Sequence, residues 1–367
     1  MLRTISIKLL VSTQTHDALD AVRFAFADAC NAIVPYAKDN RVFNNVKLHH
    51  LCYYDIRETS PLGSQFTCNA IKAVTSKYKA LKLKKNQDVP HIHFRPKSVH
   101  YDKKTYTLKG DNTVSLSTLG KRVNAKLIWG KHQKALFQKG LPKEAELIFK
   151  NGTWYFNLVV EIATPERVQS NKVMGVDLGE NNIAATSTGK VIGGGKLRYD
   201  RDRFLAIRRR LQRNGSQSAK QLLKRLSGKE ARHVTQVNHQ VANAIIAEAI
   251  EYNIGVIALE KLTNIRKRIK AGKRVRARLH RWAWYQLQIF IEYKAQAVGI
   301  EVIYVNPAYS SKTCNQCGAI ATRNKHRLTC SCGNRAHSDL NASQNIAWLG
   351  ETAVSSRGAV NRPNVAV

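Results

Sequence analysis

The first ten residues alternate apolar and polar, with Ile5, Ile7 and Leu9 on one side, which is the period of a half-buried strand. From about residue 16 the spacing lengthens to that of a helix reaching residue 38, with Leu19, Val22, Phe26, Ala29 and Ile33 returning every third or fourth position. Residues 46–58 and 64–84 carry the same helical period. The second is preceded by Pro61 and Gly63 and followed by a lysine run. Residues 91–163 change rhythm. Short β-like runs (VHYDKKTYTL, TVSLSTL, KLIW, AELIFK, TWYFNLVVEI) are divided by turn signals such as Gly110-Asp111 and Asn151-Gly152, and predict a small β-barrel. The polar stretch TPERVQSNK, 164–172, reads as a linker.

The second half has longer apolar runs. Val173–Asp177 predicts a buried strand ending on an acid, with Asn182–Thr188 and Lys190–Gly194 as hairpin partners. Two long helices follow over 199–227 and 230–253; the second buries Val234, Val237, Val241, Ile245 and Ala249. Ile254–Leu259 is another buried strand, also followed by an acid, Glu260. After it come a helix over 278–299, a strand at Glu301–Val305, a cysteine cluster and a helix over 339–349. Strands alternating with helices predict an α/β sheet with crossover helices, in the order expected of an RNase H-like fold. The small, polar stretch at 350–367 predicts a flexible tail.

The chain has 367 residues, enough for roughly two to four domains. Composition narrows the partner. Sixty Lys and Arg against 25 Asp and Glu give a formal net charge of +35. Such a surface repels itself unless a polyanion neutralises it, and nucleic acid is the foremost candidate. An anionic membrane fits poorly: no apolar run approaches the roughly 18 residues of a spanning helix, and the basic residues are spread along the chain. The N-terminal MLRTISIKLLVST lacks a cleavable signal pattern. Of seven cysteines four cluster, while Cys30, Cys52 and Cys68 sit alone in patterned segments as small core residues. That usage fits a reducing cytoplasm with one metal site.

Three acids stand out where acids are scarce. Asp177 and Glu260 each end an apolar strand, at the sheet edge where α/β folds place their sites. Asp339 lies in the first turn of the last helix, whose dipole favours an anion. Converging in one fold, such acids bind two Mg²⁺ ions, or Mn²⁺, for phosphodiester hydrolysis. Singly, each has a plainer reading: a turn start at Asp177, an ion pair of Glu260 with Lys261, a helix-terminal charge at Asp339. The clustered cysteines form Cys314-Asn-Gln-Cys317-Gly and Cys330-Ser-Cys332-Gly, with twelve residues between the pairs. Four thiolates at this spacing close a tetrahedral, structural Zn²⁺ site; the second pair is one residue tighter than usual. Free cysteines or a redox pair are the alternative. The segment between the pairs is basic, which suggests a nucleic-acid contact.

In combination these residues resemble a known family. Gly175-Val176-Asp177-Leu178-Gly179, Ile257-Ala258-Leu259-Glu260-Lys261-Leu262, Tyr293-Lys294-Ala295 with Gly299, Ser310 through Gly318, and Asp339-Leu340-Asn341-Ala342-Ser343-Gln344-Asn345-Ile346 are similar to TnpB. TnpB is the OrfB-type protein of small insertion sequences, an RNA-guided DNA endonuclease related to the type V CRISPR effectors. The likeness covers about residues 173–350. The N-terminal half matches more loosely, mainly through Gly152-Thr153-Trp154-Tyr155-Phe156 and the strand, helices and barrel order. The resemblance implies an α/β, multidomain chain. Residues 1–10 and 91–165 would be a wedge barrel, and 11–90 a helical recognition lobe. Residues 172–310 and 336–350 would be a RuvC nuclease domain, 311–335 a zinc-ribbon insert that binds the target nucleic acid, and 351–367 the tail. It makes Asp177, Glu260 and Asp339 the RuvC carboxylates. It also implies a guide RNA and double-stranded target DNA as partners, with one protein and one RNA per particle. Two features depart from the family pattern. Cys330-x-Cys332 stands for Cys-x-x-Cys, and His337-Ser338 stands where Asp-Arg is usual. His337 could touch a phosphate or the metal shell, or simply lead into the helix.

Two basic runs flank the Glu260 strand. Residues 201–233 include Arg208, Arg209 and Arg210; residues 266–281 carry nine basic residues and no acid, among them Arg274, Arg276 and Arg278, before Trp282, Trp284 and Tyr285. They read as phosphate rails for a guide–target duplex or as solvated faces, and the aromatics as core or as stacking platforms. On the helix over 64–84, Gln65, Asn69, Lys72 and Ser76 share a polar face suited to reading base edges, or a plain solvent face. The leading expectation is an RNA-guided, Mg²⁺-dependent DNA endonuclease of a mobile element. The alternatives are a guide-directed DNA binder or repressor that cuts poorly, and an RNA-independent structure-specific nuclease. A transposase proper is disfavoured, since no separate end-recognition domain is evident.

Overall fold

The computed structural model describes residues 1–110, 112–261, 283–306 and 310–360, with side chains as far as 356. The chain divides into two compact units, Met1–Ala163 and Thr164–Val367. The second basic run, with Arg274, Arg276, Arg278 and Trp282, lies outside the described residues.

In the first unit β1 (Leu2–Leu10) leads into α1 (Thr13–Asp39), α2 (Asn45–Thr59) and α3 (Ser64–Ala80). Ser12 opens α1 by accepting from the Thr15 N–H at 3.2 Å, and Asn44 caps α2 in the same way. The strands are β2 (Ser98–Tyr101), β3 (Tyr106–Lys109), β4 (Thr113–Leu116), β5 (Val123–Ile128), β6 (Gly140–Lys150) and β7 (Thr153–Ile162), with α4 (Lys131–Gln138) between β5 and β6. They form an antiparallel sheet in the order β2-β6-β7-β1-β5-β4-β3. Its two edges turn back toward each other: the Tyr101 hydroxyl donates to Ser117 O at 2.9 Å and the Tyr106 hydroxyl to Lys143 O at 2.8 Å. The sheet is thus a nearly closed barrel. Ile5, Ile7 and Leu9 point inward as their alternation predicts, opposite Trp154, Phe156, Leu158 and Val160 of β7. The same apolar cluster continues into α1, α2 and α3, so barrel and helices share one core. Cys30 and Cys52 are buried within it. Helix α4 is a departure from the all-strand reading of 91–163: KHQKALFQ carries a helical period too short to stand out.

In the second unit a five-stranded sheet runs β10-β9-β8-β11-β12. Its members are β8 (Val173–Asp177), β9 (Asn182–Thr186), β10 (Val191–Gly193), β11 (Val256–Glu260) and β12 (Glu301–Val305). The three strands β8, β11 and β12 are parallel; β8 and β11 are almost wholly buried, which is why they read as continuous apolar runs. The stretch 164–172 is not a free linker. Val168 N–H donates to Gly299 O and Gly255 N–H to Lys172 O, so it is laced onto this unit.

Two helices join β10 to β11: α5 (Gly195–Asn214) and α6 (Gln217–Glu251). The break falls at Gly215 and not near residue 228. Gly215 holds φ 69°, a left-handed helix end, and Ser216 caps the next helix through Ala219 N–H. Helix α7 (Trp284–Gln296) packs on α6, with Trp284 in the core and Tyr285 exposed. Helix α8 (Ser338–Val360) continues well past 349, so residues 351–360 are helical where a tail was expected. Ala353 and Val354 explain the extension, since they pack on the cluster formed by Val173, Ala258, Ile303 and Ile346. Gly175 lets α8 lie directly on β8. A Cβ there would meet Ser343 O at 2.0 Å and Ala347 N at 2.4 Å. Among the described residues no helix is long and apolar enough to cross a membrane.

Candidate active site and metal centre

The three acids singled out by sequence all lie in the second unit and converge. Asp177 and Glu260 directly follow Val176 and Leu259, which are partners in the parallel β8–β11 register, so both acids sit at the same end of neighbouring strands. Helix α8, seated on β8 at Gly175, delivers Asp339 in its first turn. Asp177 is pushed up to about 7, first by burial, then by the charges of Glu260 and Asp339, against the opposing pull of Arg323. Glu260 is also raised by burial, while the Ser310 hydroxyl, donating to Oε1 at 2.5 Å, opposes the rise. A buried carboxylate raised further by two neighbouring carboxylates marks a site short of positive charge. Hard oxygen donors short of positive charge suit Mg²⁺ or Mn²⁺.

Other residues hold these acids, and of them Asn182 and Gln288 were not singled out by sequence. Asn182, at the start of β9, donates to Asp339 Oδ2 at 2.9 Å; Ser338 Oγ and an Arg323 guanidinium nitrogen donate to Oδ1 at 3.1 and 3.2 Å. Gln288 of α7, almost fully buried, donates to Glu260 O at 2.7 Å. A buried polar side chain on an apolar helix face was the available signal for Gln288. Nothing local marked Asn182.

The cysteines sit on a three-stranded antiparallel sheet of β13 (Thr322–Asn324), β14 (Arg327–Thr329) and β15 (Arg335–His337) and the turns beside it. Cys314 and Cys332 sulfurs are 3.8 Å apart, Cys317 and Cys330 3.5 Å, and all four lie within 4.8 Å of one another. A tetrahedron of Zn–S bonds of about 2.3 Å has edges of about 3.8 Å. The tight Cys330-x-Cys332 pair therefore still closes the set. Gly318 N–H donates to Cys314 O and Gly333 N–H to Cys330 O, making two matching knuckles. The Asn334 amide donates to the Cys314 sulfur at 3.2 Å and, first among several donors, lowers its thiol to about 6, toward the thiolate a cation needs. Polar residues of α8 fasten this region to the carboxylates. Asn341 donates to Thr313 O and accepts from Asn315 N–H; Asn345 donates to both Ser310 O and Thr313 O. The Asn-x-x-x-Asn spacing of the Asp339 motif is thus a clamp on the base of the cysteine sheet.

The remaining expected contacts divide. Arg209 and Arg210 are exposed, while Arg208 is half-buried and paired with Glu230 of α6. On α3, Asn69 is buried, with its amide directed to His100 O at 3.4 Å, and Gln65 donates to Asp102. These two pair with the barrel side of their own unit, so they are not an open reading face. Lys72 is exposed beside Glu144 at 2.6 Å, and Ser76 is exposed.

Two solved structures share this fold. Cas12f1 in the Cas12f1–sgRNA–target DNA complex aligns over 92% of this chain and 83% of its own, with TM-score 0.63 and 16% identity. The mini-RNA-guided endonuclease CRISPR-Cas_phi3 aligns over 96% and 92%, with TM-score 0.59 and 12% identity. The chain is therefore an α/β, multidomain protein with the architecture of the Cas12 effectors. The family described as "Probable transposase" (OrfB of the IS605 type) matches residues 157–266, and "Cas12f1-like, TNB domain" matches 284–346. A TnpB-like protein of Methanocaldococcus jannaschii is 31% identical over 238 residues, 61% of this chain and 84% of that one. The CRISPR-associated endodeoxyribonuclease Cas12f1 of Sulfoacidibacillus thermotolerans is 27% identical over 358 residues, 85% and 83% of the two chains. The chain belongs to the TnpB family, as the sequence motifs implied.

Proposed function

We propose that the chain is an RNA-guided DNA endonuclease of a transposable element. It would bind a guide RNA and cleave matched double-stranded DNA beside a short motif. The observation that carries the reading is the convergence of Asp177, Glu260 and Asp339, with the Asp177 carboxyl pushed up to about 7 first by burial and then by the charges of the other two. Relatives named Cas12f1 and RNA-guided DNA endonuclease support the same reading.

In this reading 172–310 and 336–350 are a RuvC, RNase H-like nuclease domain. Residues 311–335 are a zinc ribbon whose Cys314, Cys317, Cys330 and Cys332 hold one structural Zn²⁺. Residues 1–10 and 91–165 are the wedge barrel, and 11–90 the recognition lobe. Asp177, Glu260 and Asp339 would hold two Mg²⁺ ions, which when bound activate a water and stabilise the leaving oxygen of the phosphodiester. The residues around them set the geometry. Ser310 aims Glu260, Asn182 and Ser338 fix Asp339, and burial of β8 and β11 holds the first two acids on rigid backbone. A cation held there would favour the ionised form of Asp177. Arg209, Arg210, Lys72 and Ser76 are offered as nucleic-acid contacts.

The test is purification with the RNA transcribed beside the gene. The expected result is one protein with one RNA that cuts matched DNA in Mg²⁺, and an Asp177→Ala variant that binds the same DNA without cutting it. A protein that carries no RNA and cuts branched DNA unaided would overturn the reading. One that holds RNA and binds matched DNA without cleavage would leave only guide-directed binding.

A further inference from the structure

Beside Asp339 the chain brings two imidazoles together. His326 lies in the turn between β13 and β14, and His337 ends β15. One ring nitrogen of each and one carboxylate oxygen of Asp339 lie within 4.8 Å of one another. The two rings are stacked, with centroids 5.5 Å apart and planes 17° from parallel.

Backbone pairing builds this arrangement. In the β14–β15 register His337 stands opposite Arg327, the neighbour of His326, and Ser338 N–H donates to His326 O at 2.8 Å. His337 Nδ1 accepts from Asp339 N–H at 3.3 Å, which leaves its other ring nitrogen for a further partner. His326 Nδ1 is buried and without a hydrogen-bond partner among the described residues. It stands 3.9 Å from Asp339 Oδ2, too far for a hydrogen bond. A buried imidazole nitrogen left unpaired is costly, and one that faces a carboxylate across a short gap is relieved by a cation placed between them.

We infer that His326, His337 and Asp339 form a second divalent-metal site, at the rim of the carboxylate site. Two imidazoles and one carboxylate favour a borderline ion such as Zn²⁺, Co²⁺ or Ni²⁺ over Mg²⁺. Bonds of about 2.0–2.2 Å need donor atoms closer than they stand here, and rotation of the two rings about their side-chain bonds supplies the closure. Three protein donors leave positions open for water or a phosphate oxygen. Arg323 on Oδ1 and Asn182 on Oδ2 are the groups with which such an ion shares Asp339. The inference rests on the nuclease reading only through that shared carboxylate. It gives the chain a route by which a transition ion alters the charge of the site without passing through the cysteines.

Equilibrium dialysis of the full-length, zinc-replete chain against Co²⁺, with both metals counted by mass spectrometry, tests this. The expected result is one histidine-dependent Co²⁺ per chain, beyond the retained zinc and beyond any Co²⁺ held at Asp177 and Glu260. Its affinity should fall at least roughly tenfold in His326→Gln/His337→Gln and in His337→Arg. Selective broadening of histidine ring proton resonances by Co²⁺ in the unaltered chain is a readout that needs no variant to fold. A Co²⁺ count equal in the unaltered chain and in both histidine variants would overturn the site, as would the absence of broadening. Binding does not depend on cleavage. A chain that fails to cut DNA yet shows histidine-dependent Co²⁺ refutes the nuclease reading alone, and a chain that cuts in Mg²⁺ without such binding refutes the second site alone.

Discussion

Replacing Asp177 by Asn removes one charge from the cluster and freezes the carboxyl in a shape close to its protonated form. In the folded chain Asp177 is raised to about 7 by burial and by Glu260 and Asp339, whereas an unfolded Asp titrates near 3.9. A gap of about three pH units at about 1.36 kcal/mol each corresponds to roughly 4 kcal/mol. Halving this for the solvent that still reaches a half-buried carboxylate leaves about 2 kcal/mol. The sign follows from proton linkage: the folded state binds the proton more tightly, so the penalty is full above about pH 7 and fades as pH falls toward 3.9. In magnesium-free buffer at pH 8, Asp177→Asn should therefore melt above the unaltered chain by roughly 4–8 °C, for a unit of this size. The gap should shrink by pH 5, and adding Mg²⁺ should stabilise the unaltered chain but not the variant. Thermal unfolding followed by circular dichroism at the two pH values reads this directly. Equal melting temperatures at pH 8, or a variant less stable at every pH, would refute the argument that burial and the two neighbouring carboxylates raise Asp177.

Other perturbations probe the supports. Gly175→Ala should cost about 3 kcal/mol or more in urea unfolding, because the added methyl meets the α8 backbone, and cleavage should fall with it. Cys332→Ser should lower bound zinc from one per chain toward none by metal analysis, and expose the 311–335 segment to protease. Asn345→Ala, which deletes donors to Ser310 O and Thr313 O, should cost about 1–3 kcal/mol and loosen the cysteine sheet in hydrogen exchange. Asn69→Ala should cost about 1–2 kcal/mol in stability, leaving the preference for any target-adjacent motif unchanged in a binding screen.

The parts of the fold most legible in sequence were those with a strong local pattern. Strands β8 and β11 are buried on both faces and so leave continuous apolar runs, each ending on an acid that nothing apolar explains. The helix break at Gly215 was hidden because amphipathic spacing runs on through 199–227, while Gly228 sits harmlessly inside α6. The extension of α8 was hidden because Ala353 and Val354 pack against strands distant in sequence. The polar residues of α3 looked like a surface because amides are usually solvated; their partners, Asp102 and the His100 carbonyl, come from a later strand and its turn. The His326–His337 pair was illegible for a similar reason. It exists only through the register of β14 on β15.

The seating of α8 on Gly175 also orders events during synthesis. The ribosome delivers Asp177 and Glu260 first, and Asp339 only about 80 residues after Glu260. At roughly 5–20 residues per second that interval lasts several seconds. Throughout it the groove over β8 has no helix to fill it, and the nascent chain holds two repelling acids without the third. An emerging chain therefore lacks the third of the converging acids until α8 is made. The same interval leaves the apolar face formed by Val173, Val256, Ala258 and Ile303 without the helix that covers it in the finished fold.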